Sequence, residues 1–343
     1  MDSFIKLNTS EIYMRGLPII LFLGLITFTN YTIGQELVKP FQTHNQSPLA
    51  HFFGIPTNPG GSILKKNTFY FGNYFNIANN ATSAQVNEEA IYFDGEMYRN
   101  ELFLSYGLFS MLEVGITLPV VKHSSGVMDS FISNWHEAFN LPGKSRSFMP
   151  SYSLNYFFME EKEIVFEMNE SKLSIGDISI SLGTPVHKGV KHEIAFRVFV
   201  KLPTGNKENL IGSGTSDFGL QVTGMLNPLP KRKQVALFYS GGYLRIGNGA
   251  LLAGKVTRNV GFGSFGLAYN INNKWYLKSQ LDFHSGLYKK SYTKQLGKSS
   301  AQLVMGLDYF VVKNLGLSVS FVEDIIVNTS PDFVLQLGVS HNF

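Results

Sequence analysis

The chain has no cysteine among its 343 residues. Disulfides, Cys-ligated metals, thiol nucleophiles and a lipid-modified N-terminal Cys are all excluded. Charged residues are scarce at 16%, and Trp occurs only twice. No apolar run reaches the ~20 residues that a bilayer-spanning helix needs. The longest, Leu17 to Phe28, has twelve. No Lys/Arg-rich stripe suggests nucleic acid, since Lys231-Arg232-Lys233 is short and follows the turn-forming Asn227-Pro228-Leu229-Pro230.

What the chain does have is Phe (29), Tyr (16) and Gly (33). Its mean hydropathy is +0.02. A β-barrel that hides its polar half inside reads as average on such a scale. The last segment is the most informative. Phe333, Leu335, Leu337 and Val339 sit two apart, with Gln336, Gly338 and Ser340 between them, and the chain ends on Phe343. This is a strand with one apolar and one polar face. It resembles the closing strand of bacterial outer-membrane barrels, whose terminal Phe is read by the barrel-assembly machinery.

The same alternation recurs upstream. Leu112, Val114, Ile116, Leu118 and Val120 share a face opposite Glu113, Gly115 and Thr117. Ile194, Phe196, Val198 and Val200 oppose Glu193, Arg197 and Lys201. Trp275, Leu277, Leu281 and Phe283 oppose Lys278, Gln280, Asp282 and His284. The segment 88–108 is longer than one crossing of ~9–11 residues. Its apolar phase also switches near Met97 to Arg99, where a bulge is expected. The count comes to about twelve strands. Short connections at 109–110, 187–190, 227–232, 272–274 and 313–314 alternate with long ones at 79–87, 123–174, 204–215, 248–259 and 287–298. Tight periplasmic turns and longer outer loops have this pattern. The expected fold is all-β: a transmembrane antiparallel barrel with one long extracellular loop carrying a short helix.

Three parts follow along the chain. Residues 1–34 read as a signal peptide, with Arg15 before the apolar run, cleavage before Gln35 and a possible true start at Met14. Residues 35–65, with the turn Asn58-Pro59-Gly60-Gly61, read as a periplasmic lead-in or partial plug. Residues 66–343 form the barrel. In loop 123–174, Asp129 can cap a helix bearing Phe131, Ile132, Trp135 and Phe139 on one side, stopped by Leu141-Pro142-Gly143. Ser153 to Met159 and Glu163 to Met168 follow as a hairpin above the membrane.

Several segments carry a resemblance to a known family. They are Asn45-Gln46-Ser47-Pro48-Leu49 with Gly54-Ile55-Pro56, then Asp94-Gly95-Glu96 and Tyr106-Gly107-Leu108. Gly126 to Asp129 with Ile132 and His136, Leu141-Pro142-Gly143 with Arg146, and Gly176-Asp177-Ile178 continue the order. Leu202-Pro203-Thr204-Gly205 and Gly212-Ser213-Gly214 to Asp217 complete it. Together they resemble a domain-of-unknown-function family of proteobacterial outer-membrane β-barrel proteins. The resemblance implies the barrel and a Gram-negative outer membrane. It implies no activity.

Chemistry is sparsely signalled. A lipid hydrolase or acyltransferase barrel would need a Ser activated by a His on the outer wall. His123 with Ser124, and His284 with Ser285, are neighbours that point to opposite faces of a strand. Asp129, His136 and Glu137 read as a solvated loop face rather than a metal site. No catalytic residue, metal or cofactor is expected. Expected lumen residues are Asp94, Glu96, Arg99, Glu101, Glu113, Asp177, Glu193, Arg197, Lys201, Asp217, Lys278, Asp282, His284 and Asp308. The assembly signal is Phe333, Leu335, Leu337, Val339 and Phe343. The expected function is a narrow channel or small-solute uptake barrel. The alternatives are a plugged structural or interaction barrel acting through its large loop, and a lipid-modifying enzyme. Expected partners are outer-membrane lipid and lipopolysaccharide, the assembly machinery and small solutes.

Overall fold

The computed structural model describes residues 38–343, apart from 132–133, 135–136, 138–149, 151, 229–234, 327–328 and 332. The signal-peptide expectation therefore lies outside the described residues. The strands are β1 (Phe69–Val86), β2 (Glu89–Phe109), β3 (Leu112–Ser124), β4 (Asn155–Glu160), β5 (Glu163–Met168), β6 (Leu173–Ile175), β7 (Ser179–Lys188) and β8 (His192–Lys201). They continue with β9 (Asp217–Leu226), β10 (Val235–Ile246), β11 (Asn259–Asn270), β12 (Trp275–His284), β13 (Ser300–Val312), β14 (Leu315–Asp324) and β15 (Phe333–Asn342). A single helical turn, Lys294–Gly297, precedes β13.

Twelve of these strands close into an antiparallel barrel, leaving β4 to β6 in the long outer connection. Closure is made by β1 against β15, from Tyr70 opposite Asn342 to Asn79 opposite Phe333. A closed sheet leaves no unpaired edge, which is what hydrocarbon demands of strands. The strict alternation then sorts side chains by face. Leu220, Val222, Phe265, Leu267, Leu281 and Phe283 are exposed on the outer wall, while Gln221, Thr223, Ser264, Lys278, Gln280 and Gln336 are buried inside. Exposed apolar and buried polar residues invert the order of a water-soluble domain. Aromatic residues flank the belt on the outside. Tyr106, Tyr269 and Trp275 lie toward the short turns, and Phe218, Tyr243 and Phe283 toward the long loops. The protein is an outer-membrane barrel.

Two expectations about the first hairpin are corrected. Neither a long loop at 79–87 nor a bulge at 97–99 is present. β1 and β2 pair without a break from Phe69 opposite Tyr106 to Val86 opposite Glu89, so the hairpin stands well above the membrane. The apolar phase shifts because the surroundings of β2 change. Below, from Glu96 to Phe109, it pairs with β3. Above, from Glu89 to Asp94, it pairs with β4. The only irregularity between β2 and β3 lies at Gly107/Phe109, at the opposite end. The expected outer hairpin is present as β4 and β5, and residues 129–131, 134 and 137 are helical.

The start of the long loop folds onto the outer wall. Glu96 Oε1 accepts hydrogen bonds from Val127 N (3.0 Å) and Met128 N (2.5 Å). Gly126 allows this approach, since a Cβ there would stand 2.1 Å from the Glu96 carboxyl carbon and its φ is +78°. Met128 then packs on Phe333, with Ile77, Phe321 and Leu335 beside them. Phe333 is consequently buried, although it belongs to the outward apolar row of β15.

Candidate functional site

Residues 38–65 run through the interior of the barrel along nearly its whole height. The ascending limb follows the inner face of β12. Lys278 Nζ donates to Lys39 O (2.9 Å), and Phe41 N donates to Gln280 Oε1 (2.9 Å). Thr43 Oγ1 donates to Asp282 Oδ2 (2.7 Å), and Asn45 Nδ2 lies 3.0 Å from His284 Nε2. Inward side chains on a strand recur every second residue, and an extended limb advances at the same rate. The two therefore keep step, at a constant sequence separation of 239.

At the long-loop end the segment turns over Ser47 to Phe53, through Ala50 N→Ser47 O (2.9 Å) and His51 N→Ser47 O (3.0 Å). Leu49, Phe52 and Phe53 enter an apolar cluster with Phe93, Tyr156, Phe158, Val256, Leu287 and Tyr288. The descending limb returns along β9 and then β8. Gly54 N donates to Asp217 Oδ2 (2.9 Å), Gln221 Nε2 to Thr57 O (3.1 Å) and Thr223 Oγ1 to Gly60 O (2.6 Å). Arg197 donates to Gly60 O (3.1 Å) and Ser62 O (2.8 Å), and Leu64 N to Glu113 Oε2 (2.8 Å).

Most of the inward charges are paired as well. Arg99 Nη2 is 2.8 Å from Glu101 Oε1, Arg197 3.5 Å from Glu113, and Lys278 2.7 Å from Asp308. Lys201 Nζ meets Asp177 (2.6 Å) and Asp217 (3.1 Å), and also donates to Phe52 O (3.1 Å). Arg99 also donates to His51 Nδ1 (3.2 Å), which leaves His51 Nε2 to donate to Leu210 O (2.8 Å). Asp177 does more than pair. It accepts Gly205 N (2.8 Å) and Ser213 N (2.9 Å), and so pins the β8–β9 loop over the wall. Between the segment and the wall of β2, β3, β7 and β8 lies a cavity of about 120 Å³, touched by Glu101, Ser105, Thr117, Ser181 and Lys201. That is ample room for water.

Of the residues expected in the lumen, Arg99, Glu101, Glu113, Asp177, Arg197, Lys201, Asp217, Lys278, His284 and Asp308 are buried there. Asp282 reaches Thr43, and Glu193, half-buried, points inward at the short-turn end. Asp94 and Glu96 are corrected. Each alternates with the inward Phe93, Met97 and Arg99, so both fall on the outer face, where Asp94 accepts Tyr92 Oη–H (3.2 Å) and Glu96 holds the loop. The unbroken register of β2 removes the phase shift that had put them inside. The expected lumen set left out Gln221, Thr223, Gln280 and Gln336, which hold the segment, although the alternation had put them on the polar faces of their strands. Uncharged polar residues at inward positions were the available signal. Of the loop residues weighed for a metal, Asp129 instead accepts Tyr152 N (2.6 Å) and His136 lies outside the described residues.

The chain belongs to the family described as protein of unknown function (DUF3187), whose model matches residues 26–343. No curated protein matches it. Among solved structures it is similar to the COG4313 outer membrane channel from Pseudomonas putida F1, at 13% identity and TM-score 0.55, over 82% of this chain and 98% of that one. It also aligns with the NanC porin, at 10% identity and TM-score 0.45, over 80% and 98% of the two chains. The Ralstonia pickettii toluene transporter TbuX aligns at 9% identity and TM-score 0.41, over 86% and 97%. The likeness is one of fold.

Proposed function

We propose that this DUF3187 barrel is a narrow outer-membrane channel for small solutes, closed by its own residues 38–65 and opened when that segment leaves the lumen. One observation carries the reading: the inner wall is charged along its height although the lumen is filled. Buried ion pairs are no more stable than well-packed apolar residues of similar volume. A wall that only ever packed a fixed plug could hold the plug's carbonyls with neutral donors, as Gln221 and Gln280 do, without the charge of Arg197, Lys201 or Lys278. A wall that is solvated in a second state needs such groups, and water can replace the plug's hydrogen bonds one for one.

The wall also sets the ion preference of that second state. Arg99, Arg197, Lys201 and Lys278 face Glu101, Glu113, Asp177, Glu193, Asp217, Asp282 and Asp308, four cations against seven carboxylates. The open pore is a cation-preferring one. The reading assigns no catalytic role to any residue. It keeps residues 1–34 as an export signal, and 35–65 and 66–343 as plug and barrel. The assembly machinery is the reader of the terminal strand.

The test is planar-bilayer recording of the refolded full barrel beside a variant lacking residues 38–64. The expected result is brief, rare openings for the full chain and steady, cation-selective steps for the deletion. A folded deletion variant that carries no current overturns the channel. A second reading, a permanently closed barrel acting through its outer loops, is favoured by the apolar cluster of Leu49, Phe52 and Phe53 under Phe158 and Tyr288. It expects the full chain to stay silent under every voltage and steady current from the deletion alone.

A further inference from the structure

The outer face of the barrel is electrically lopsided. From Arg245 to Lys298 the chain holds a single carboxylate, Asp282, and that one faces the lumen. Over the same span Arg245, Arg258, Lys289, Lys290, Lys294 and Lys298 are exposed, and among the described residues none has an ion-pair partner. The β4–β5 hairpin is the reverse, with Glu161, Glu163 and Glu167 exposed, while its Glu160 turns with Glu89 to Lys255 and leaves the other cations unpaired.

These cations are placed together by the fold. The β10–β11 and β12–β13 loops are joined by a bridge between Val256 and Tyr288, and by Lys289 N→Lys255 O (2.6 Å). Arg245 lies lower, on the lipid-facing side of β10, opposite Phe218 on one neighbour and Asn259 on the other. It is held in place there. Arg245 and Tyr243 both donate to Asn259 Oδ1, which fixes the guanidinium directly above the apolar belt. An isolated run of surface lysines would read as a solvated face. A fixed arginine at the upper edge of a lipid-contacting wall, with unpaired cations on the loops above it, does not.

We propose that this side of the barrel is a binding surface for the phosphates of the outer-leaflet lipid, with Arg245 as the inner contact and Arg258, Lys289, Lys290 and Lys294, on the loops above it, as the outer ones. The chemistry is charge-assisted hydrogen bonding, which suits guanidinium and ammonium groups to phosphate oxygens. The inference rests on which end of the barrel faces outward, and not on the plug.

The experiment uses the full refolded barrel in detergent, with lipid A as the probe and thermal unfolding as the readout. Bisphosphorylated lipid A should raise the unfolding temperature. The rise should shrink at high salt, because these cations are exposed and screened. Arg258→Ala, Lys289→Ala, Lys290→Ala and Lys294→Ala combined should abolish the rise while leaving the lipid-free unfolding temperature unchanged. Lys162→Ala with Lys172→Ala, on the acidic side, should leave it intact. An equal rise with dephosphorylated lipid A, an unaltered rise in the fourfold variant, or the same rise with inorganic phosphate alone each overturns the proposal.

Discussion

Lys201 Nζ stands 2.6 Å from the Asp177 carboxylate, and both side chains are 2% exposed. The pair ties three things to one point: the wall, the β8–β9 loop that Asp177 holds, and the inner segment through Phe52 O. Removing one partner of a buried pair leaves an uncompensated charge and costs about 3–5 kcal/mol. Lys201→Met should therefore loosen the segment where it turns. The expected outcome is more frequent channel openings in bilayer recordings, with the heat-modifiable migration of the barrel retained on gels. Unchanged opening frequency would show that the pair serves the wall alone.

Gly61 is a steric test of the descending limb. A Cβ at this position would lie 2.4 Å from Met225 N and 2.5 Å from Glu193 O. Both are backbone atoms of paired strands, which cannot move aside as a side chain would. Gly61→Val should expel the lower part of the segment and leave the barrel folded. Protease added from the periplasmic side should then cut between residues 55 and 65, a stretch it does not reach in the parent protein.

Locking the ascending limb gives the converse experiment. Thr43 Oγ1 and Asp282 Oδ2 are 2.7 Å apart, and the native chain has no thiol to interfere. Thr43→Cys with Asp282→Cys should form a disulfide under oxidation, since the side-chain contact brings the two positions together. Oxidised barrels should carry no current at any voltage, and reductant should restore openings. Current through a fully oxidised sample would place the conducting path elsewhere.

The outer loops carry a pH dependence whose sign follows from one lysine. Lys255 Nζ is 2.6 Å from Glu89 and 2.6 Å from Glu160, so it joins the tip of the first hairpin to β4. Burial pushes the Glu89 carboxyl up, but Lys255, Ser291 and the amides of Tyr292 and Thr293 outweigh it and hold it below the usual carboxylate range. Burial likewise pushes Lys255 down, and the two glutamates raise it on balance. A depressed carboxylate stabilises above its unfolded pKa of about 4.3 and loses that contribution as pH falls through its folded value. A raised lysine stabilises below about 10.4 and loses its contribution as pH rises past its folded value. The hydrogen-exchange protection factors of residues 155–160, taken against the unstructured-peptide rate at each pH, should be highest between these limits and lower below pH 4. Lys255→Met should flatten the profile, with protection in the middle range like that of the parent in acid.

Much of the barrel was legible because a strand writes its two faces into the sequence. Leu220 and Val222 beside Gln221 and Thr223 place lipid on one side and the interior on the other, whatever the partner strands are. Glu96 shows where that stops. Its phase is that of the outer face, yet a charge on a lipid-facing row looks implausible until Met128 and its neighbours are seen covering it. The long hairpin of β1 and β2 misled for a related reason, since β4, which extends the sheet above the membrane, comes more than forty residues after β2 ends.

Residues 38–65 mark the clearest division. Composition, alternation and the terminal aromatic row determined by themselves that the chain closes into a barrel in an outer membrane, because period-two patterning is a local property of extended backbone. Only the tertiary structure decided what fills that barrel. The inner segment is held largely through its backbone, as at Lys39, Phe41, Gly54, Gly60 and Ser62, by side chains more than a hundred residues away. Peptide carbonyls and amides are the same in every residue. A segment bound through them leaves no pattern of its own, and its path appears only once the wall that reads it has folded around it.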